Sequence, residues 1–365
     1  MADELEQRRA LLTSLSEPGG PLTIDAPHAT INDRRYFRMV DGEPVPTPAR
    51  RDLHARILAQ WNSSQSNIQR NHRAVLMAGP PGAGKSSAQA ELLGDQVEQY
   101  RLLDADEFKR QLLEEAVADG SLQEMLPPEL RTAAGDPGRF YPNELSALVH
   151  RESSILLETA VEQSLSRGED VIIDGTMAWK PWAVQLVTDL ERKGYAISIA
   201  DVEAPQHVAA ERIVQRWQKG HMAALAAPAT DVAAQMGGRW LPASAVDRMF
   251  PEKREPDGLP LHGRSVSEVN SQEITDMYVA VLQYDMYWTA NASKGAEHVE
   301  RRERAAGGAM EQTWVAPLDP EAAEAKAAVM SDFPQPARPR TAGGPESPAA
   351  GRRPAPRERG TGLDR

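Results

Sequence analysis

Between residues 50 and 200 the apolar positions follow two alternating rhythms. Short, mostly apolar runs at 74–78, 100–103, 171–173 and 195–199 suit strands buried on both faces. Between them the spacing turns helical. Leu53, Ile57, Leu58 and Trp61 share one face of a helix over 52–67, 88–93 is helix-compatible, and Phe108, Leu112 and Leu113 share a face after Asp104. The longest amphipathic run, 143–166, carries Leu145, Leu148, Val149, Ile155, Leu156, Ala160, Val161 and Leu165 and is stopped by Arg167-Gly168. A further helix over 181–193 ends at Gly194. This rhythm predicts an α/β fold with a doubly wound, mostly parallel sheet covered by helices on both faces.

Outside that stretch the pattern is weaker. A short helix over 4–15 is stopped by Pro18-Gly19-Gly20-Pro21, and 23–50 reads as an irregular connector, with Pro44, Pro46 and Pro48 favouring extended chain. After Pro205 a helix over 208–219 leads into alanine-rich 223–236, a short helix at 244–249 and polar loop at 252–263. Ile274, Met277, Tyr278, Val281 and Leu282 fall in helical register, which predicts one helix over 266–288. From 301 onward the pattern lapses, apart from a helix candidate at 320–330, and 333–365 is rich in proline, arginine, glycine and alanine, which predicts disorder. The expected organisation is an N-terminal helix and connector (1–50), a catalytic domain (51–295) and a polar, mostly disordered tail (296–365).

The apolar run at 74–78 leads into a glycine-rich loop. Gly79-Pro80-Pro81-Gly82-Ala83-Gly84-Lys85-Ser86-Ser87 matches the G-x-x-x-x-G-K-[ST] spacing between a strand and a helix. Glycines let backbone N–H groups turn toward phosphate oxygens at a helix N-terminus, Lys85 would reach the β- and γ-phosphates of ATP, and the Ser86 hydroxyl would ligate Mg²⁺. Composition bounds the rest. A formal charge of −12 argues against a grip on nucleic acid, and the absence of cysteine removes disulfides, thiolate metal sites and cysteine nucleophiles. The acidic N-terminus has no signal-like apolar core, and no run reaches the ~20 apolar residues that span a bilayer. The expected location is the cytoplasm.

Ligands of doubly wound sheets lie beyond the carboxyl ends of strands, so Asp104, Asp106 and Asp174, at or just beyond two such ends, are candidates for chemistry. One of the carboxylates at the exit of the second strand could accept a proton from an acceptor hydroxyl. Asp104 is a candidate metal contact, yet with Glu107 three residues on it equally forms a helix capping box. Asp174-Gly175-Thr176 is either a ligand contact or an ordinary strand-to-helix turn. Arg212, Arg216 and Arg239 suit a lid that stabilises a transferring phosphoryl group, or else a solvated helix face. His150 and Glu152, ahead of Glu158, are candidates for an acceptor pocket or for surface.

Taken in order, the P-loop, the Asp-x-Asp-x-Phe-Lys run at 104–109, the helix with Glu158, Ile173-Asp174-Gly175-Thr176, Arg216 and Gly238-Arg239-Trp240-Leu241-Pro242 resemble the zeta-toxin family of P-loop kinases over roughly residues 55–290. The resemblance implies a P-loop kinase-like fold with a helical lid. It implies transfer of the ATP γ-phosphate, with Mg²⁺, to a sugar hydroxyl of UDP-N-acetylglucosamine, by a toxin restrained by an antitoxin protein. On that mapping Asp106 looks like the base, Lys85 and Ser86 hold phosphate and metal, Arg216 and Arg239 clamp the phosphoryl group, and Glu158, Asp174 and Thr176 look like substrate contacts, with Arg212 beside them. The residues after Lys109 lack the His-Pro that often follows there, Asp174 stands where some members have glutamate, and the Arg216-to-Arg239 spacing is long. Other hydroxyl acceptors, such as NAD, an antibiotic or a polynucleotide end, remain alternatives, as does a non-catalytic nucleotide-gated interaction module.

Overall fold

The computed structural model describes residues 2–132 and 138–316. An N-terminal arm comes first: α1 (Ala2–Leu15), then a hairpin of β1 (Phe37–Val40) and β2 (Glu43–Pro46). The expected connector is thus partly a hairpin. Asp41 and Gly42 take left-handed φ values of 52° and 85°, the conformation that an Asp-Gly turn needs between twisted strands, and Pro44 and Pro46 sit on a two-stranded ribbon that tolerates their missing N–H groups. Leu12, Leu22, Ile31 and Phe37 of the arm are buried in the same core as the helices behind the sheet.

After α2 (Pro48–Ser63), β3 (Arg73–Ala78) runs into the glycine loop and α3 (Lys85–Leu93), β4 (Arg101–Asp104) into α4 (Ala105–Ala118), and α5 (His150–Ser166) returns to β5 (Val171–Asp174). α6 (Lys180–Arg192), β6 (Ala196–Glu203) and the long α7 (Gln206–Ala226) come next, then short α8 (Val232–Gln235), α9 (Ala243–Asp247), a two-residue ribbon of β7 (Lys253–Arg254) and β8 (Leu259–Pro260), and α10 (Val266–Met277). β9 (Val281–Trp288), β10 (Glu297–Arg304) and β11 (Met310–Val315) complete the main sheet, whose order is β11-β10-β9-β6-β3-β5-β4. The five strands from β9 to β4 are parallel, and β10 and β11 extend them antiparallel. The chain winds from β3 out to β4, back to β5, then across to β6, so the glycine loop leaves the sheet at its switch point. Alternate residues of β3 feed two cores, Ala74, Leu76 and Ala78 into one and Val75 and Met77 into the other.

Four expectations change. The helix over 266–288 ends at Met277, and its second half is β9, whose Tyr284, Met286, Tyr287 and Trp288 are buried. Polar 297–304, expected in the tail, forms β10, where Arg301 pairs at 2.7 Å with the buried Asp285 of β9. β6 runs past Ile199 through Asp201 and Glu203, carboxylates that belong to a buried strand because Ser271 and Tyr284 each donate to Asp201 at 2.7 Å and Ser265 donates to Glu203 at 2.8 Å. The run at 143–166 splits into a 3-10 turn, Pro142–Val149, and α5. Of the surface excursion expected over 120–138, the described part makes two 3-10 turns and buries Met125 and Leu126, while 133–137 lie outside the described residues. The segments at 320–330 and 333–365 also lie outside them.

Candidate active site

The site gathers at the carboxyl ends of β3, β4 and β5. Gly79 has φ 118°, and an added Cβ would collide with the Val202 carbonyl oxygen on β6, so the loop lies against the neighbouring strand in a way only glycine permits. Lys85 opens α3, with Ser86 and Ser87 exposed in its first turn. Lys85 Nζ donates to the carbonyls of Gly79 at 3.0 Å and Pro80 at 3.4 Å, which holds the ammonium over the loop. Burial lowers its pKa, the nearby carboxylates of Asp174, Glu203 and Asp104 oppose that shift, and the Arg239 charge reinforces it.

Asp104 and Asp174 are register partners at the ends of β4 and β5. Asp104 Oδ1 accepts from the Asp106 N–H at 2.8 Å as the N-cap of α4. Burial, followed by the Asp174 charge, pushes its carboxyl up to about 6 against the pull of Arg239, Lys109 and Lys85. Capping and an altered acidity therefore coexist in one residue. Asp174 Oδ1 is buried without a hydrogen-bond partner in the described structure. Oxygen donors of this kind, with the Ser86 hydroxyl, fit Mg²⁺ better than any softer metal.

Asp106, the second residue of α4, forms an ion pair with Arg239 Nη1 and a second with Lys109 Nζ at 3.0 Å. Lys109 is a residue to which the sequence motif attached no role. Burial lowers it to about 8, Asp104 opposes that shift, and Arg216 adds to it. Burial likewise lowers the pKa of Arg216 and Arg239, with Asp104 pulling the other way in both, yet guanidinium groups remain charged at any working pH. Arg216 on α7 keeps solvent access despite that desolvation and has no hydrogen-bond or ion-pair partner among the described residues.

Two expected residues, Arg212 and Glu152, are placed differently. Arg212, expected beside the substrate, gives its guanidinium N–H groups to carbonyls: Gly82 at 3.2 Å, Ala83 at 2.7 Å, Ala292 at 3.1 Å, Asn291 at 3.0 Å, and Lys294. Five donors are thus engaged, and the residue braces the glycine loop against the 289–295 loop. Glu152 belongs neither to an acceptor pocket nor to the surface; it is fully buried and accepts from Arg50 at 2.5 and 2.7 Å and His54 at 2.6 Å, tying α2 to α5. Glu158 is exposed on α5 with no hydrogen-bond partner among the described residues. The Thr176 carbonyl accepts from Gly79 N at 3.4 Å and from Ser267 Oγ, and its hydroxyl oxygen accepts from Ala178 N at 3.3 Å.

The loop after β5 is held from a side that no motif announced. Met177 takes φ 53°, and buried Asn270 donates to the carbonyls of Met177 at 2.9 Å and Ala178 at 2.8 Å. Arg254 in turn donates to Asn270 Oδ1 at 2.8 Å and to Glu273 Oε2 at 2.7 Å. A polar face of α10 thereby orients the segment that carries Asp174 and Thr176.

The sequence profile of the zeta toxin family matches residues 58–255, from α2 through the lid into β7. The chain belongs to the zeta-toxin family. A similar solved structure agrees on the fold. AvrRxo1-ORF1 in complex with AvrRxo1-ORF2 and sulphate ions aligns with a TM-score of 0.50 and 15% identity, over 79% of this chain and 75% of that one. The PezAT chromosomal toxin-antitoxin system of Streptococcus pneumoniae aligns at 0.40 and 12%, over 80% and 91%. Such identities speak to the fold alone, and the second score adds nothing to the first. Among curated proteins none matches the chain. Family membership accounts for the order in which the loop, the strand-end carboxylates and the lid arginines of this zeta-toxin relative occur. No helix among the described residues is long and apolar enough to cross a membrane.

Proposed function

We propose that this zeta-toxin family protein is an ATP-dependent phosphotransferase that moves the γ-phosphoryl group to a sugar hydroxyl of UDP-N-acetylglucosamine, acting in the cytoplasm as a toxin that a second protein holds in check. One observation carries the reading. A P-loop ammonium, a strand-end carboxylate with an unpartnered oxygen and a second carboxylate paired to a lid arginine converge at neighbouring strand ends. Asp106 takes the proton of the acceptor hydroxyl. The hydroxyl oxygen forms its bond to the γ-phosphorus as the bond to the β–γ bridging oxygen breaks, and that electron pair leaves on ADP. Lys85 and the loop N–H groups meet the charge on the departing phosphate, while Arg216 and Arg239 meet the equatorial oxygens. Mg²⁺, when bound, neutralises charge shared by the β- and γ-phosphates; Ser86 and Asp174 would hold it, with Asp104 behind them. Glu158 and the Thr176 hydroxyl are the acceptor contacts of this proposal.

Purified protein given ATP, Mg²⁺ and UDP-N-acetylglucosamine yields a phosphorylated sugar nucleotide, and Lys85→Ala and Asp106→Ala each cut its formation about 10³-fold. Absence of product with the intact protein rules out this acceptor. A labelled-ATP screen of a metabolite extract then finds the hydroxyl that is used. Expression of the intact protein arrests growth, and Lys85→Ala relieves the arrest.

A further inference from the structure

The two lid arginines share a foundation that lies outside the lid. Glu144, 1% exposed, sits in the 3-10 turn before α5. It accepts from Trp217 Nε1 at 3.2 Å, His221 Nδ1 at 3.2 Å and Tyr141 N at 3.0 Å. Arg8 of α1 completes the set with a two-pronged pair, Nε at 3.3 Å and Nη2, and its remaining Nη1 donates to the Gly138 carbonyl at 3.0 Å. Burial pushes the Glu144 carboxyl up, but His221 and Arg8 more than offset this and hold it below the ordinary carboxylate range. The arrangement is a desolvated carboxylate with charge-assisted partners, of the kind that fixes geometry when complete and is costly when broken.

What this carboxylate orients is next to both arginines in sequence. Trp217 comes directly after Arg216, and Trp240 directly after Arg239; their rings meet edge-on with centroids 5.3 Å apart. Gly238 presses so closely on the Trp217 carbonyl that an added Cβ would collide with it. Asn143, beside Glu144, straps the same segment, donating from its backbone to Met236 at 2.9 Å and accepting from Trp240 N at 3.2 Å. The N-terminal arm touches it too, because Trp240 Nε1 donates to Ser16 Oγ at 3.0 Å. From this we infer that the N-terminal arm is a working part of the phosphotransfer site: Arg8 and Ser16, acting through Glu144, Trp217 and Trp240, are positioning residues that set Arg216 and Arg239 for the transition state. The family profile begins at residue 58, so this role belongs to the arm that precedes it.

The inference rests on the phosphotransferase reading, and the experiment separates the two. Full-length wild type, Arg8→Ala, Arg8→Lys and Ser16→Ala are assayed for kcat and for KM of ATP, with melting temperature recorded for each. Calorimetry measures their affinities for ADP with Mg²⁺, with and without aluminium fluoride, which stands in for the phosphoryl group in flight. A misplacement of about 1 Å costs roughly 100-fold in rate. Arg8→Ala is therefore expected to lower kcat ~10- to 100-fold and to weaken the aluminium fluoride complex in parallel, with KM for ATP and affinity for ADP within about twofold. Arg8→Lys, which keeps the charge but loses the fork, falls between, and Ser16→Ala gives the mildest loss. Unchanged kcat in folded variants, or losses that fall equally on ADP binding, overturn the inference. Should Arg8→Ala fail to fold, Ser16→Ala and Arg8→Lys decide the matter by the same split. A wild type with no turnover and no gain in affinity from aluminium fluoride overturns the phosphotransferase reading instead.

Discussion

Backbone atoms dominate one half of this site and side chains the other. On the donor half, glycines turn N–H groups inward, Lys85 rests on two carbonyls, and Arg212 pins the loop through carbonyls alone. On the arginine half, two indoles, an imidazole, a buried carboxylate and the Arg8 guanidinium, from four separate segments, set the positions of Arg216 and Arg239. The contrast reflects the different charge each half must hold. Phosphates of a bound nucleotide need a fixed nest of dipoles, whereas charge that appears only during transfer needs cations that can be aimed.

If the halves are distinct, substitutions should sort into donor and arginine classes. The largest effect is expected where both meet the reacting atoms: Lys85→Ala and Asp106→Ala each reduce turnover by about 10³-fold, read as labelled phosphate transferred from ATP. Arg212→Ala sharpens the donor class. Its expected signature is a KM for ATP raised roughly tenfold with kcat little changed, opposite to the arm variants, and lysine does not restore it because one ammonium cannot serve five carbonyls. Acidity tests the boundary between the halves. Asp104 ionises in the folded protein only above about 6, against an ordinary value of 3.8, so it loses its negative charge, and with it its hold on a cation, as pH falls through that value. Affinity for Mg²⁺ with ATP is expected to weaken from pH 7 to pH 5, and Asp104→Asn to flatten that slope. The smallest effect belongs to Gly175→Ala. A Cβ there would meet only the Trp182 ring, at 3.6 Å, so stability should shift by no more than about 0.5 kcal/mol in a urea titration.

The same division explains what could be read from the chain alone. The glycine loop, Asp104, Asp106 and Asp174 were legible because each depends on neighbours a few residues away or on its place at a strand end. Arg212 and Gly82 are 130 residues apart, Asn270 and Met177 93, and Arg8 and Glu144 136, so no local spacing announces those pairs. The strands failed for a related reason. Tyr278, Val281 and Leu282 satisfy a helical register as well as a strand's, and β10 is polar because its charges find partners on β9 that only the folded sheet supplies. The hairpin at β1 and β2 had a local signal, Asp41-Gly42, which the prolines around it obscured.

Asp201 and Glu203 bear on something other than phosphate. The two carboxyl groups lie fully buried on one strand, and burial, then the Asp201 charge, drives the Glu203 carboxyl well above its ordinary range. At pH values between the ordinary glutamate value and the raised one, folding therefore draws a proton from solution, one that the unfolded chain does not carry. Because the native state binds more protons than the unfolded one, stability declines as pH rises from the ordinary glutamate value through the raised one. Unfolding monitored in buffers of different ionisation enthalpy would register that proton as a heat belonging to the buffer.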